Sequence, residues 1–428
     1  MFSVYSILLV VVCFLICYGY RMAGWFSNFR AQKHLTNDKK NKFALFIPAR
    51  DEGRAIIPLL ESIKAQTYDA SLIKTFIVVK NPEDSAYEYA KLVDAVVFCD
   101  PNQKCKGDCT DFSFKKLLNE YYDDFDSVIM IDADTTLEST FVEEMNNALA
   151  SGAEIIIPKK RVRNYFVDGG KNSNLVTQAN GLLWTAVDEM GSRFKADHGI
   201  TVTTISNGIL MTKKFIEEMG GWSYLQTFTE DMELERDCAL RNVPTYYSSY
   251  AVVYTEEAVD LEMTNFRRTR WFSGLIHSDY LYFWKFLKGF NRRNAANIYM
   301  VYSMWFSFLY FACLFSMGTI NLGSVIFKLA HTMTLDGYHL FCGALCFALI
   351  YFSFFVLVLC SLIAGRHDIR LSPLQALKVL FYAPVFDLYY YVIVVKGIVG
   401  KNDKEWVAVE RIDNEPVELA VKEAVELD

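Results

Sequence analysis

Ser127-Val128-Ile129-Met130-Ile131-Asp132-Ala133-Asp134 is the stretch on which the fold turns. An uncharged, largely apolar run stops abruptly at two carboxylates. A continuous short run of this kind reads as a strand buried on both faces. Acids directly after it then sit at the carboxyl edge of a parallel sheet, where such sheets bind ligands. Comparable runs lie upstream at Phe43–Pro48, Thr75–Val79 and Ala95–Cys99. Helical patterns fall between them, at Arg54–Gln66, Ser85–Leu92 and Asp111–Tyr121. The alternation predicts an α/β domain, a mostly parallel sheet with helices on both faces. Arg50, Lys80-Asn81 and Asp132-Ala133-Asp134 would share one rim of it. A second block, Glu154–Tyr254, predicts strands at Glu154–Pro158, Ser206–Met211 and Thr245–Ser248, with a charged helix from Asp231 to Arg241.

Outside this block the chain turns apolar. Hydrophobic residues make up 52% of the 428, and the excess is concentrated at the two ends. Residues 2–20 are uncharged and long enough to span a bilayer, which predicts an anchor over 1–22. Arg21, Arg30, Lys33, Lys39, Lys40 and Lys42 follow closely and place the next segment in the cytosol. A domain over 43–277 is expected there. Residues 278–297 predict an amphipathic helix on the membrane surface, with Tyr280, Phe283, Trp284 and Leu287 on one face. Apolar runs follow within 298–399. Those at 298–327 and 340–364 predict membrane helices. The run at 374–399 holds Pro384 and Asp387, and a crossing there would set Lys396, Lys401 and Lys404 outside, so partial insertion is expected. A cytosolic tail, 400–428, closes a multi-pass protein of the cell membrane.

A net charge of −7 argues against any general affinity for nucleic acid. Cys105-x-x-x-Cys109 has no nearby histidine and not the spacing of a zinc site, so free thiols are expected. The apolar runs carry little charge beyond Asp387, which argues against a transporter or channel.

Alternate residues of an extended chain point the same way, so Asp132 and Asp134 can face one ligand site. Hard oxygen ligands there suit Mg²⁺ or Mn²⁺, which bind through one or two carboxylates and substrate phosphate oxygens. Thr229-Glu230-Asp231 opens a helix, whose dipole keeps Asp231 ionised as a general base for an acceptor hydroxyl. Arg267-x-x-Arg270-Trp271 offers guanidinium groups to a diphosphate and an indole to a sugar. Singly, each has a plain structural alternative: a solvated turn, a helix cap, a basic juxtamembrane stretch. Together they are the parts of a nucleotide-sugar transferase.

In order, these motifs resemble the membrane-integrated family-2 glycosyltransferases, inverting enzymes of the GT-A fold, a Rossmann-like mixed sheet with helices on both faces. The resemblance covers residues 43–275. It implies a nucleotide-sugar donor held by Pro48, Ala49, Arg50, Glu52, Asp84, Lys106, Asp132, Arg267 and Arg270. It implies metal ligation by Asp132 and Asp134, with Mg²⁺ or Mn²⁺ as cofactor, and catalysis by Asp231. Asn207, Gly208, Glu230 and Trp271 are implied on the acceptor side. Arg267–Trp271 is similar to the Gln-x-x-Arg-Trp signature of processive synthases, with Arg267 in place of Gln. The layout of anchor and membrane helices resembles chitooligosaccharide, hyaluronan and poly-N-acetylglucosamine synthases. A UDP-linked hexose or N-acetylhexosamine donor and a carbohydrate or glycolipid acceptor follow from that likeness, as do membrane lipids and accessory export proteins as partners. Lys80-Asn81 stands where the family carries an Asp that contacts uracil, leaving Glu83, Asp84 or a different base open. Competing expectations are a single-transfer glycolipid synthase and a non-catalytic scaffold of a polysaccharide complex.

Overall fold

The computed structural model describes residues 4–163, 173–205, 207–227, 229–368 and 371–399. Ser206, Lys401, Lys404 and the expected tail 400–428 lie outside the described residues.

The strands are β1 (Phe43–Pro48), β2 (Ile73–Val79), β3 (Val96–Cys99), β4 (Ser127–Met130), β5 (Thr136–Leu137), β6 (Ile155–Val162), β7 (Ile209–Thr212) and β8 (Thr245–Thr255). They form one eight-stranded sheet in the order β3-β2-β1-β4-β7-β6-β8-β5. The first four run parallel. β7 is antiparallel to both β4 and β6, β6 and β8 are parallel, and β5 closes the edge antiparallel. The sheet is therefore mixed, and the expectation of a mostly parallel one holds best for its first half. Apolar runs show that a strand is buried, and they carry no information on its direction.

Side chains alternate across the sheet. In β1, Phe43, Leu45 and Ile47 join one buried cluster with Leu59, Ile77, Ile129 and Phe141. Ala44 and Phe46 join the cluster on the opposite face with Phe76, Phe114, Met130 and Tyr247. Burial on both faces explains why these strands carry no polar alternation.

The helices are α1 (Val4–Ser27), α2 (Ile57–Lys64), α3 (Lys106–Glu120), α4 (Phe141–Ala148), α5 (Leu175–Val187), α6 (Arg193–Asp197), α7 (Lys213–Met219), α8 (Glu230–Arg241), α9 (Leu261–Gly289), α10 (Ala295–Thr332), α11 (Gly337–Ala364) and α12 (Pro373–Val399). A π-helical turn, Asp188–Ser192, joins α5 to α6. α1 packs on that turn so closely that a Cβ on Gly24 would lie 2.8 Å from the Met190 carbonyl carbon.

Among the described residues, α10, α11 and α12 are long and apolar enough to cross a membrane. α12 continues through Pro384, where sequence reasoning favoured a partly inserted segment. α9 likewise runs unbroken past residue 277, so the surface helix expected at 278–297 is the second half of a longer one. Its exposed face carries Tyr280, Phe283, Trp284 and Leu287, as the pattern predicts. Polar contacts tie the layers together. Arg236 of α8 meets Asp279 of α9 at 2.8 Å, and Trp305 of α10 donates its indole N–H to the other Asp279 oxygen at 2.6 Å. On the other flank, Lys159 and Arg161 of β6 both pair with Asp368 in the α11–α12 loop.

Candidate active site

β4 ends at Met130, and the chain enters a tight turn in which the Thr135 N–H donates to the Asp132 carbonyl at 3.1 Å. Asp132 and Asp134 thus sit on a turn, and the extended-chain alternation expected from sequence does not set their directions. Asn207 and Gly208, just before β7, brace this turn. The Gly208 N–H donates to the Met130 carbonyl at 2.8 Å, and Asn207 Oδ1 accepts from Thr135 Oγ1 at 2.9 Å and from the Asp132 N–H at 3.4 Å. Gly208 has φ +77°, and a Cβ there would meet Pro158 and Val253 at 2.8 Å, so glycine is required.

The carboxyl end of β1 forms the neighbouring lip. Pro48 closes the strand and Ala49 still donates to the Val78 carbonyl at 2.8 Å. Arg50 reaches the Lys104 carbonyl at 3.4 Å, and Asp51 takes the left-handed conformation at φ +56°. Glu52 leads into the short turn Gly53–Ile56. Asp84 is buried, accepting from the Asp51 N–H at 3.1 Å and the Ala86 N–H at 2.9 Å. Its oxygens hold the strained lip in place.

Lys106, at the start of α3, links the distant parts of the sequence. Its Nζ lies 2.5 Å from Asp132 Oδ1 and 3.6 Å from Glu230 Oε1. Burial works to lower its pKa, but Asp132 and Glu230 outweigh that and hold the ammonium charged well above its usual range. Glu230 itself is pushed up to about 7, by burial first, with Lys106 opposing and Asp231 and Asp132 adding to the rise. Next to it, Asp231 is half-buried at the first turn of α8, where its Oδ1 accepts from the Met232 N–H at 2.8 Å and its carbonyl accepts from Thr204 Oγ1 at 2.5 Å.

α9 supplies the cations. Burial holds the Arg270 pKa below its ordinary value, against the attraction of Glu230, Asp132 and Asp231. The fold therefore gathers Lys106, Asp132, Glu230, Asp231 and Arg270 into one electrostatic cluster. Arg267 points its guanidinium to the Glu256 carbonyl at 3.4 Å. The close approach of α9 to α8 depends on Gly274, where a Cβ would come 2.6 Å from Thr229 Cγ2.

Sequence reasoning missed Arg268. It is buried and lies 4.6 Å above the Trp271 ring and 5.2 Å from that of Trp184. It donates to Asn180 Oδ1 at 3.1 Å and pairs with Glu257 at 3.6 Å. Trp184 donates to the same Glu257 at 2.5 Å, and Lys160 lies 3.6 Å from the Trp184 ring centre. Burial acts to raise the Glu257 pKa, yet Arg268 and Lys160 hold it below the usual range. One signal was available: residues three apart on a helix share a face, which pairs Trp271 with Arg268.

Asp132 and Asp134 fit a divalent cation as two hard oxygen ligands that leave other positions to phosphate and water. Among the described residues no group of three or more His, Cys, Asp or Glu forms an all-protein cage.

Residues 40–274 match the family model described as glycosyltransferase like family 2. Among solved structures, the mannosyltransferase PcManGT from Pyrobaculum calidifontis, in complex with GDP-Man and Mn²⁺, aligns with a TM-score of 0.52 at 11% identity, over 91% of this chain and 96% of that one. S. aureus TarS 1–349 in complex with UDP-GlcNAc aligns with a TM-score of 0.36 at 12% identity, over 51% of this chain and 59% of that one. No curated protein compared with the chain matches it in sequence. Likeness at such identities concerns the fold, which in PcManGT is that of a GT-A glycosyltransferase. The family match takes in more than half of the chain and every strand of the sheet, so the chain belongs to the glycosyltransferase-like family 2.

Proposed function

We propose that the protein is a membrane-bound inverting glycosyltransferase, its catalytic domain cytosolic, that moves a hexose or N-acetylhexosamine from a nucleoside-diphosphate sugar to a growing β-linked saccharide. The observation that carries this is the convergence of Asp132, Glu230, Asp231, Lys106 and Arg270 from four separate elements. Asp132 and Asp134 would hold Mg²⁺ or Mn²⁺, which supplies positive charge to the donor diphosphate when bound. Asp231 takes the proton of an acceptor hydroxyl. That oxygen forms a bond to the anomeric carbon as the carbon–oxygen bond to the diphosphate breaks, and the nucleoside diphosphate leaves with the electron pair. Arg267, Arg270 and Lys106 stabilise the charge developing on it. Trp271, clamped by Arg268 against Trp184, presents an indole face to the acceptor sugar where the domain meets α12.

A polymer or oligomer product is favoured by the arginine–tryptophan motif at the base of the membrane helices. The test is release of nucleoside diphosphate from a panel of UDP and GDP sugars with Mn²⁺, by the wild type and Asp231→Asn. GDP-mannose belongs in the panel because PcManGT was solved with it. Sugar-dependent release by the wild type and none by the variant, with nucleotide binding retained, is the expected result. Equal turnover by both removes Asp231 from its role. Chromatography of the product separates a polymer from a lipid-extractable monoglycoside.

A further inference from the structure

A cavity of about 490 Å³ opens where α1 ends, lined by Phe26, Ser27, Arg30, Gln32, Lys33, Arg193 and Asp197 among others, none of them in the catalytic cluster. Its volume lies in the range of small-molecule sites. Three cations line it against the single lining carboxylate of Asp197, with Glu189 behind Arg193 at 3.9 Å. Arg193 is only 5% exposed, with two of its guanidinium nitrogens donating to Asn28 Oδ1 and the Arg30 carbonyl. Among the described residues its Nε has no hydrogen-bond partner, and Asp197 Oδ2, at 4.0 Å, is too far to serve. Among the described residues Asn28 Nδ2, behind the lining, is a second buried donor without an acceptor. Buried donors of this kind are expensive unless something accepts from them. Gln32, by contrast, is fully used, its amide bonded to Tyr247 and Ser249.

The surroundings set the level of the cavity relative to a bilayer. Phe26 and Phe29 are exposed at the end of α1. The Arg366 guanidinium, from the loop between α11 and α12, lies 5.7 Å from the Phe29 ring. The end of the anchor and a loop joining two membrane helices therefore meet at one height. Aromatic rings and cations gathered there are the composition of a membrane–water interface.

We propose that this cavity binds an anionic phosphodiester, with the Arg193 and Arg30 guanidinium groups and the Lys33 ammonium donating to its oxygens. Guanidinium forks match phosphate geometry, and a rotation of the Arg193 head into the cavity would give its unpartnered Nε an acceptor. A lipid headgroup or a free phosphate would satisfy the same donors. The inference rests on the membrane-bound reading proposed above, with α1 entering the bilayer, and is independent of the transfer chemistry, so binding is read directly and not through turnover.

The test uses purified full-length protein in neutral detergent, titrated with phosphatidylglycerol or phosphatidylcholine, with bound lipid counted by native mass spectrometry. The wild type should retain phosphatidylglycerol over phosphatidylcholine. Arg30→Gln combined with Lys33→Gln, both at exposed positions, should weaken that retention about tenfold. Arg193→Lys, which keeps the charge but loses the fork, should weaken it as well, and the exposed pair keeps the test decisive if position 193 does not tolerate change. Displacement of the lipid by inorganic phosphate, with the same sensitivity to the variants, assigns the site to free phosphate and supports the chemistry. Equal retention by wild type and double variant, or no preference between the lipids, overturns the proposal.

Discussion

Lys106 and Asp132 are joined by an ion pair of 2.5 Å that bridges the start of α3 and the turn after β4. Glu230, 3.6 Å from the same ammonium, makes the lysine counter-ion to acids on two separate elements. Replacing Lys106 by Met leaves those acids facing each other. Unfolding measurements should show a loss of about 2 kcal/mol, less than a fully buried pair because Lys106 keeps some solvent contact. Adding Glu230→Gln to Lys106→Met should recover part of it. Additive losses in this double-mutant cycle would show that the pair is not coupled.

Glu230 gives the site a pH signature. Its pKa is about 7 in the folded chain against an ordinary value of 4.5. The folded state therefore binds the proton more tightly than the unfolded one. Stability from this group is full below the unfolded value and is lost as pH rises through 7. From pH 5 to pH 8 the wild type should lose stability relative to Glu230→Gln. Denaturation midpoints of the two proteins, compared at both pH values, check this.

The contact between Gly274 and Thr229 sets how closely α9 can approach the first turn of α8. Gly274→Ala should displace that turn and, with it, Asp231. A misplacement of this order costs about a hundredfold in kcat. Nucleotide affinity, measured by calorimetry, should fall far less than kcat, since the β1 lip and the Asp132 turn lie on other elements.

Arg268 is a positioning residue for two indoles. Arg268→Lys keeps the charge but loses the flat surface between Trp184 and Trp271 and the hydrogen bond to Asn180. KM for the acceptor should rise about tenfold, or about 1.4 kcal/mol, with donor affinity unchanged. A fall in kcat alone would place Arg268 outside acceptor recognition.

Metal removal should separate chemistry from folding. Chelation should abolish transfer, and Mn²⁺ or Mg²⁺ should restore it, because Asp132 and Asp134 repel a diphosphate unless a cation lies between them. The circular dichroism spectrum should not change on chelation. Among the described residues no cage of protein ligands ties the metal to the fold.

The core strands were legible because burial on both faces leaves an uninterrupted apolar run, as in Phe43–Pro48 and Ser127–Met130. Strand direction was not, and β7 runs against its neighbours. The two-residue β5 is too short to leave a pattern. Lys106, Asp132, Glu230, Asp231 and Arg270 were each expected from a separate motif, and the fold sets them within electrostatic reach of one another. Their backbone setting was less legible: Asp132 and Asp134 sit on a turn that Asn207 and Thr135 hold by side-chain bonds invisible to periodicity. The backbone bonds that Asp84 accepts from Asp51 and Ala86 are likewise beyond the reach of a sequence pattern. Arg268 was passed over because a charged residue in a basic tract reads as exposed, and only tertiary packing shows it sealed between aromatic rings.

Asp279 receives Arg236 from α8 on one oxygen and Trp305 from α10 on the other. The element that opens with Glu230 and Asp231 is thus fastened, through one carboxylate, to a helix long enough to traverse lipid. Lipid thickness acts on such a helix by changing its tilt. On the proposed function, the acyl-chain length of the host membrane would act as a mechanical input on the first turn of α8.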